Sequence, residues 1–324
     1  MKKNWLWPVM AAGLIVSACG AETVQQDGEE SQEAAETTEQ TETAVDSAAM
    51  ELEVPFDGSM DHVHGMGYIE ENGGLYFASH HGLKIHRDGA WTEIADQFHD
   101  FMGFNATAEG FVTSGHPDMQ SDMENPLGIK RSADGGANFD DLGFEGETDF
   151  HEMAVGYNSG NLFVFAPQPN SEMETGFYRS DDAGESWQPA AADGIAGTVT
   201  YLAMHPDDSE MIAAVSNEGI FLSEDGGESF STITEGEFGT AAFFSEDALF
   251  YATYDGEAKL VKRALSGEQQ DIALPEMTED GVIYIAQHPA NTEQLAIYTA
   301  QGHAWLTQDA GSDWTKILDA GQVQ

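Results

Sequence analysis

The 324-residue chain carries 58 acidic against 11 basic side chains, a net charge of −47. A balance this acidic argues against nucleic acid and against anionic lipid surfaces as partners. A single cysteine, Cys19, stands in the whole chain, so no intrachain disulfide can form and no thiolate remains for catalysis or metal ligation.

From the N-terminus, Lys2 and Lys3 precede an apolar run, Trp5 to Val16, that is too short to span a bilayer. The run closes on Val16-Ser17-Ala18-Cys19, which resembles a bacterial lipobox, in which the cysteine is lipidated and becomes the mature N-terminus. Residues 1–19 therefore read as a lipoprotein signal with Cys19 as the lipidation site. The mature protein is then expected on the outer leaflet of the cytoplasmic membrane, held by its lipid alone. Residues 20–55 consist mainly of Glu, Thr, Gln, Ala and Ser, with no Lys or Arg. Such a segment cannot bury enough apolar surface to offset its ordering entropy, so a disordered acidic linker is predicted there. Residues 56–324, roughly 270 in number, suffice for one large domain, expected to be a monomer. The acids are spread along this domain. That fits a surface kept hydrated in a salty, halophilic habitat better than a patch built to attract cations.

Self-similarity is the strongest signal in the domain. Four segments follow Ser/Thr-x-Asp-x-Gly-x-x-aromatic: SADGGANF from Ser132, SDDAGESW from Ser180, SEDGGESF from Ser223 and TQDAGSDW from Thr307. Their starts are 48, 43 and 84 residues apart, and 84 is two periods of 42. A decayed copy, LVKRALSGEQQ, falls near residue 265. GLKIHRDGAW, from Gly82, aligns if two turn residues are deleted, with Asp88 at the box aspartate and His86 at the box serine. The count is six repeats. Each box reads as a tight hairpin turn in which Asp134, Asp182, Asp225 or Asp309 and the Ser/Thr hydroxyl bond the turn's own backbone. Glycine supplies the positive φ, and the terminal aromatic opens the next strand and packs into the core. Short apolar strands such as GFYR, GIFL and MIAAVS precede the boxes. Four such strands per period predict an all-β fold, a β-propeller of six four-stranded blades.

These segments resemble the Asp-box, or BNR, repeat of sialidases, sortilin-type ectodomains and photosystem II assembly-factor-like propellers, over residues 60 to 320. The resemblance implies the architecture. It leaves function open, because the box is a structural turn and the fold hosts unrelated activities.

In a propeller blade strand a lines the central channel and strands b, c and d follow outward. The box, as the c–d turn, lies on the bottom face; the b–c and d–a connections lie on the top face. This register makes MDHVHGMGY, Met60 to Tyr68, the first innermost strand, with His62 and His64 on one side at the channel mouth. SHHG brings His80 and His81 to the same face, FHDFMG brings His99, Asp100 and Met102, and SGHPDMQSDMENPLG brings His116, Asp118 and Met119. TDFHEM adds Asp149, His151 and Glu152. Three adjacent blades thus deliver seven of eleven histidines to one corner. His86, His205, His288 and His303 fall at repeat or turn positions and read as structural. Blades four to six offer Glu218, Tyr254, Asp255 and Glu257 at the top but no matching cluster.

Imidazoles among carboxylates suit zinc, copper, iron or nickel, and thioethers shift the preference toward copper. His64, His81, His116 and His151 are the leading ligand candidates, with His62, His80 and Met119 next, for copper or zinc; no nucleotide or flavin is expected. The same groups also suit a hydrated channel, in which they bond to Asp61 and Asp100. A sialidase-like mechanism is disfavoured, because all four arginines, Arg87, Arg131, Arg179 and Arg263, belong to box regions rather than the top of the channel. A different glycoside hydrolase remains open, with Asp61, Asp100, Asp149 and Glu152 able to furnish an acid and base pair, and Asp61, Asp100 and Glu152 as the leading candidates. So does a non-catalytic scaffold whose top loops bind a glycan or an envelope protein.

Overall fold

In the computed structural model, residues 52–69, 73–234 and 236–324 are described, all within the compact unit Thr43–Gln324. The predicted signal, Cys19 and the linker up to residue 51 lie outside the described residues. The described residues form 26 strands in six antiparallel sheets. The first is β1 (Glu53–Pro55), β2 (Val63–Ile69), β3 (Gly74–Ser79), β4 (Gly82–Arg87) and β5 (Ala90–Ile94). The second is β6 (Asp100–Thr107), β7 (Gly110–His116), β8 (Ile129–Ser132) and β9 (Asp140–Gly143). The third is β10 (Met153–Val155), β11 (Leu162–Ala166), β12 (Gly176–Ser180) and β13 (Gln188–Ala190). The fourth is β14 (Val199–Met204), β15 (Met211–Ser216), β16 (Gly219–Glu224) and β17 (Ser231–Thr232). The fifth is β18 (Phe238–Phe244), β19 (Ala248–Tyr254), β20 (Ala258–Ala264) and β21 (Gln269–Ile272). The last is β22 (Val282–His288), β23 (Asn291–Thr299), β24 (Ala304–Thr307), β25 (Thr315–Asp319) and β26 (Gln322–Val323).

Each sheet is one blade, and the inner strands β2, β6, β10, β14, β18 and β22 neighbour one another around a closed ring. The fold is the predicted six-bladed, all-β propeller. Two blades exceed the predicted four strands. β1, which falls in the predicted linker, pairs with β5, and Glu53 accepts two hydrogen bonds from Arg87 at 2.9 and 3.0 Å and one from Thr92 at 3.0 Å. β26 folds back on β25 through Ala320 and Gly321, both at positive φ.

Burial sorts the strands. β3 (GLYFAS), β15 (MIAAVS) and β19 (ALFYATY) are buried almost throughout and show no alternation, because each blade is covered on both faces. The outer strands β9 (DDLG), β17 (ST) and β21 (QQDI) are polar and largely exposed, as unpaired edges require. Apolar side chains form six clusters, one in each gap between neighbouring blades.

The boxes do what their residues predict. In blade four Ser223 Oγ donates to Asp225 Oδ1 at 2.8 Å and accepts from Gly227 N at 2.9 Å. Asp225 Oδ1 accepts from Ser229 N at 2.9 Å, and Oδ2 accepts from Ser229 Oγ at 2.6 Å. Asp134, Asp182 and Asp309 repeat the pattern. These bonds favour the ionised carboxylate, so Asp182, Asp225 and Asp309 are all held below the usual aspartate range. Gly227, at φ 88°, shows why the fifth box position is glycine: a Cβ there would sit 2.2 Å from the Phe163 ring of the preceding blade. The box aromatics Phe139, Trp187, Phe230 and Trp314 all reach the inter-blade clusters.

Each blade is a continuous stretch of chain, so the ring closes without strand exchange. Met60 N donates to Gly321 O at 2.8 Å, Gln322 Nε2 donates to Gly58 O at 2.8 Å, and Gln294 Nε2 donates to Tyr68 Oη at 3.0 Å. The glycines of HGMGY have a spatial cause. A Cβ on Gly65 or Gly67 would lie 2.7 Å from Phe104 Cβ or 2.6 Å from Ala106 Cβ, so only glycine lets β2 and β6 approach at the axis.

Candidate functional site

Strand a carries a recurrent irregularity near its top end. In blade one Val63 pairs with Ser79 but Gly65 pairs with Ala78, so His64 is the extra residue of a β-bulge. Blades four, five and six have bulges at the same height, at Val199/Tyr201, Gly239/Ala241 and Val282/Tyr284. A bulge re-aims the side chain it inserts. At blade one that side chain is an imidazole.

Three imidazoles stack at this corner. His64 and His80 rings lie 4.7 Å apart at 17°, His62 and His80 5.2 Å apart at 26°, and His62 and His64 6.5 Å apart at 15°. Asp100, the first residue of β6, faces them: its Oδ1 is 4.0 Å from His64 Nε2 and 3.9 Å from His80 Nε2. These ligand-type atoms of His64, His80 and Asp100 all lie within 4.8 Å of one another. His64 Nε2 and Asp100 Oδ1 are buried with no hydrogen-bond partner. Burial and the neighbouring His80 lower the His64 pKa, outweighing the attraction of Asp100, so the neutral, ligating form is favoured. Ligand atoms in a tetrahedral shell with bonds of about 2.0–2.1 Å lie roughly 3.3–3.4 Å apart. The two imidazole–carboxylate distances would shorten by about 0.5–0.7 Å to reach that spacing, and two imidazoles with a carboxylate are a donor set that fits a transition metal.

A second carboxylate, Asp149, holds two more histidines in a different way. His151 Nε2 hydrogen-bonds Asp149 Oδ2 at 2.6 Å, and His116 Nε2 lies 3.3 Å from the same oxygen. His116 Nδ1 is bonded to Asn125 Oδ1 at 2.7 Å. Asp149 Oδ1 accepts from the buried Ser114 hydroxyl at 3.3 Å, and that hydroxyl accepts from Phe150 N at 2.9 Å. The Asp149 bond raises the His151 pKa against the opposing effect of burial. Glu152 is half-buried, and desolvation holds its carboxyl above the usual range.

The remaining candidates go elsewhere. His81 is exposed, and its carbonyl accepts from Lys84 Nζ at 2.7 Å. Met119 is 100% exposed, so its thioether is turned to solvent. Asp61, next to His62 in the chain, is exposed. His99 is buried and held by Gln97 and by Asp118 N. His205, His288 and His303 each accept from a nearby backbone N–H, and His86 packs on Trp91, as their repeat positions predict. Arg87, Arg131 and Arg179 pair with carboxylates beside the box turns. Sequence reasoning ranked His81 above His80. Only the bulge and the hairpin geometry distinguish the two.

No family model and no curated protein matches the chain. Among solved structures it is similar to a GH74 enzyme of Niastella koreensis (TM-score 0.53, 16% identity) and to the GH74 xyloglucanase of Xanthomonas campestris (TM-score 0.52, 18% identity). Both matches cover 82% of this chain and 46% of the other. It is also similar to PorZ, a surface component of the type-IX secretion system of Porphyromonas gingivalis (TM-score 0.51, 10% identity), over 80% of this chain and 32% of that one. The likeness is one of fold. The chain is a six-bladed propeller with four Asp-box turns, and it spans less than half the length of these structures.

Proposed function

We propose that the protein is an extracytoplasmic, lipid-anchored propeller that binds a transition metal ion, zinc or copper, through His64, His80 and Asp100 at the top of its channel. The observation that carries this reading is a pair of buried polar atoms, His64 Nε2 and Asp100 Oδ1, that face each other across 4.0 Å and satisfy nothing else. Leaving such groups unpaired costs about 1–3 kcal/mol each, and an ion between them relieves both. Two imidazoles and a carboxylate suit zinc or copper(II). The anchor rests on the lipobox-like Val16-Ser17-Ala18-Cys19. Metal analysis of protein purified without a histidine tag tests the site. One equivalent of zinc or copper is expected, lost in His64→Ala and in His80→Ala and retained in His81→Ala. No binding after incubation with either ion sinks the reading.

A second reading, glycoside hydrolysis, is favoured by one observation: Glu152 is half-buried beside Asp149 and His151, and desolvation shifts its carboxyl upward, the direction that favours a general acid. Turnover of aryl glycosides or β-glucans, abolished in Glu152→Gln, would support it. Inactivity across such a panel counts against it.

A further inference from the structure

The lower half of the channel holds a cavity of about 290 Å³ that opens away from the histidines and is lined by residues of all six blades. Its walls include Tyr68, Tyr201 and Phe243, and its mouth includes Glu246 and Asp247, both exposed in the β18–β19 turn. One cation lines it, Lys262 of β20. Nine lysines and arginines fall among the described residues, and seven of them are ion-paired. Lys262 is not: among the described residues its ammonium makes no ion pair or hydrogen bond and lies 5.4 Å from the centroid of the buried Phe250 ring. In a chain of net charge −47, a lone half-buried ammonium in a cavity is an unusual expense.

We propose that this cavity is a binding site for a small zwitterion, a carboxylate and an amine or quaternary ammonium on one compact skeleton. Lys262 takes the carboxylate by a charge-assisted hydrogen bond. Glu246 and Asp247 face the cationic end, and the aromatic wall receives its methylene or methyl groups, as cation–π contacts do. Each alternative class leaves a charge badly placed. A simple anion meets two carboxylates at the mouth and a strongly negative surface field. A simple cation meets Lys262. The volume lies at the lower end of the roughly 300–1,000 Å³ of ligand pockets, which suits an amino-acid-sized solute rather than an oligosaccharide. The site is on the opposite face from His64, so it stands independently of the metal reading.

Isothermal titration calorimetry on the full chain at fixed ionic strength tests the proposal, with glycine, proline and glycine betaine as zwitterions and acetate and tetramethylammonium as single-charge controls. At least one zwitterion is expected to bind, about tenfold or more tighter than either control. Lys262→Met, which keeps the aliphatic packing over Phe250, should weaken that binding at least tenfold, and Lys262→Arg should largely restore it. Asp247→Asn, in an exposed turn, should weaken it a few-fold and serves if Lys262→Met does not fold. His64→Ala should leave it unchanged. Absence of heat for every zwitterion up to roughly 10 mM, where Kd passes beyond the weak end of specific binding, overturns the proposal. So does equal binding of a control, or unchanged affinity in Lys262→Met or Asp247→Asn.

Discussion

Two carboxylates at one corner of the propeller each face two imidazoles, and the outcomes differ. Asp149 is closed on its partners: His151 at 2.6 Å, His116 at 3.3 Å and Ser114 behind it. Asp100 stands 3.9–4.0 Å from His80 and His64, too far for hydrogen bonds, with Oδ1 unsatisfied. The same residue types therefore make a self-contained network before the third blade and an open ligand set between the first two. What separates them is backbone. Asp149 and His151 sit two residues apart in one connection and reach each other locally. His64, His80 and Asp100 come from three separate segments whose spacing is set by strand packing and by the bulge.

The largest expected contrast is in metal affinity. His64→Ala should lower it about a hundredfold or more, whereas His116→Ala should change it by less than about threefold, as read by competition with a chromophoric chelator. Equal losses would merge the two clusters into one site. Next comes Ser114→Ala, which strips Asp149 and the Phe150 amide of a buried partner. A loss of about 1–2 kcal/mol in denaturant unfolding is expected, with metal affinity unaltered.

A smaller contrast is in pH. His151 has its folded-state pKa raised, so its pairing stabilises fully below about 6.5, the unfolded value, and fades as pH rises through the folded value. His151→Gln should therefore lower Tm at pH 5.5 and leave it nearly unchanged at pH 8.5. His64 has its pKa lowered, so its contribution is present above about 6.5 and is lost as pH falls through the folded value. NMR titrations of the two imidazoles should move in opposite directions from the free value; parallel shifts would break the comparison. The smallest effect is at Met119, which is fully exposed: Met119→Ala should alter stability by no more than about 0.5 kcal/mol and leave metal affinity as it is.

Much of this corner is legible in the residues alone. The box spacing places each histidine on a blade, and the blade order brings FHDFMG beside MDHVHGMGY and SHHG. The choice between His80 and His81 is not legible, because a two-residue hairpin tip can present either ring. The bulge is hidden too. A period-two strand predicts alternation, and nothing in the string DHVHGMG marks where an extra residue breaks the ladder. Nor does any local pattern mark Lys262, whose place in the wall of the channel cavity is visible only once the six blades have closed around it.

By itself the sequence determined the all-β class, the six repeats, the box turns and the face on which the histidines gather. Those features rest on local chemistry, on hydroxyls, carboxylates and glycines that act within a few residues of chain. The tertiary structure decided which histidines meet Asp100, which are absorbed into hydrogen bonds, and what the channel holds at its other end. Those depend on distances between strands far apart in sequence, set by the closure of the ring and by the bulges at its axis.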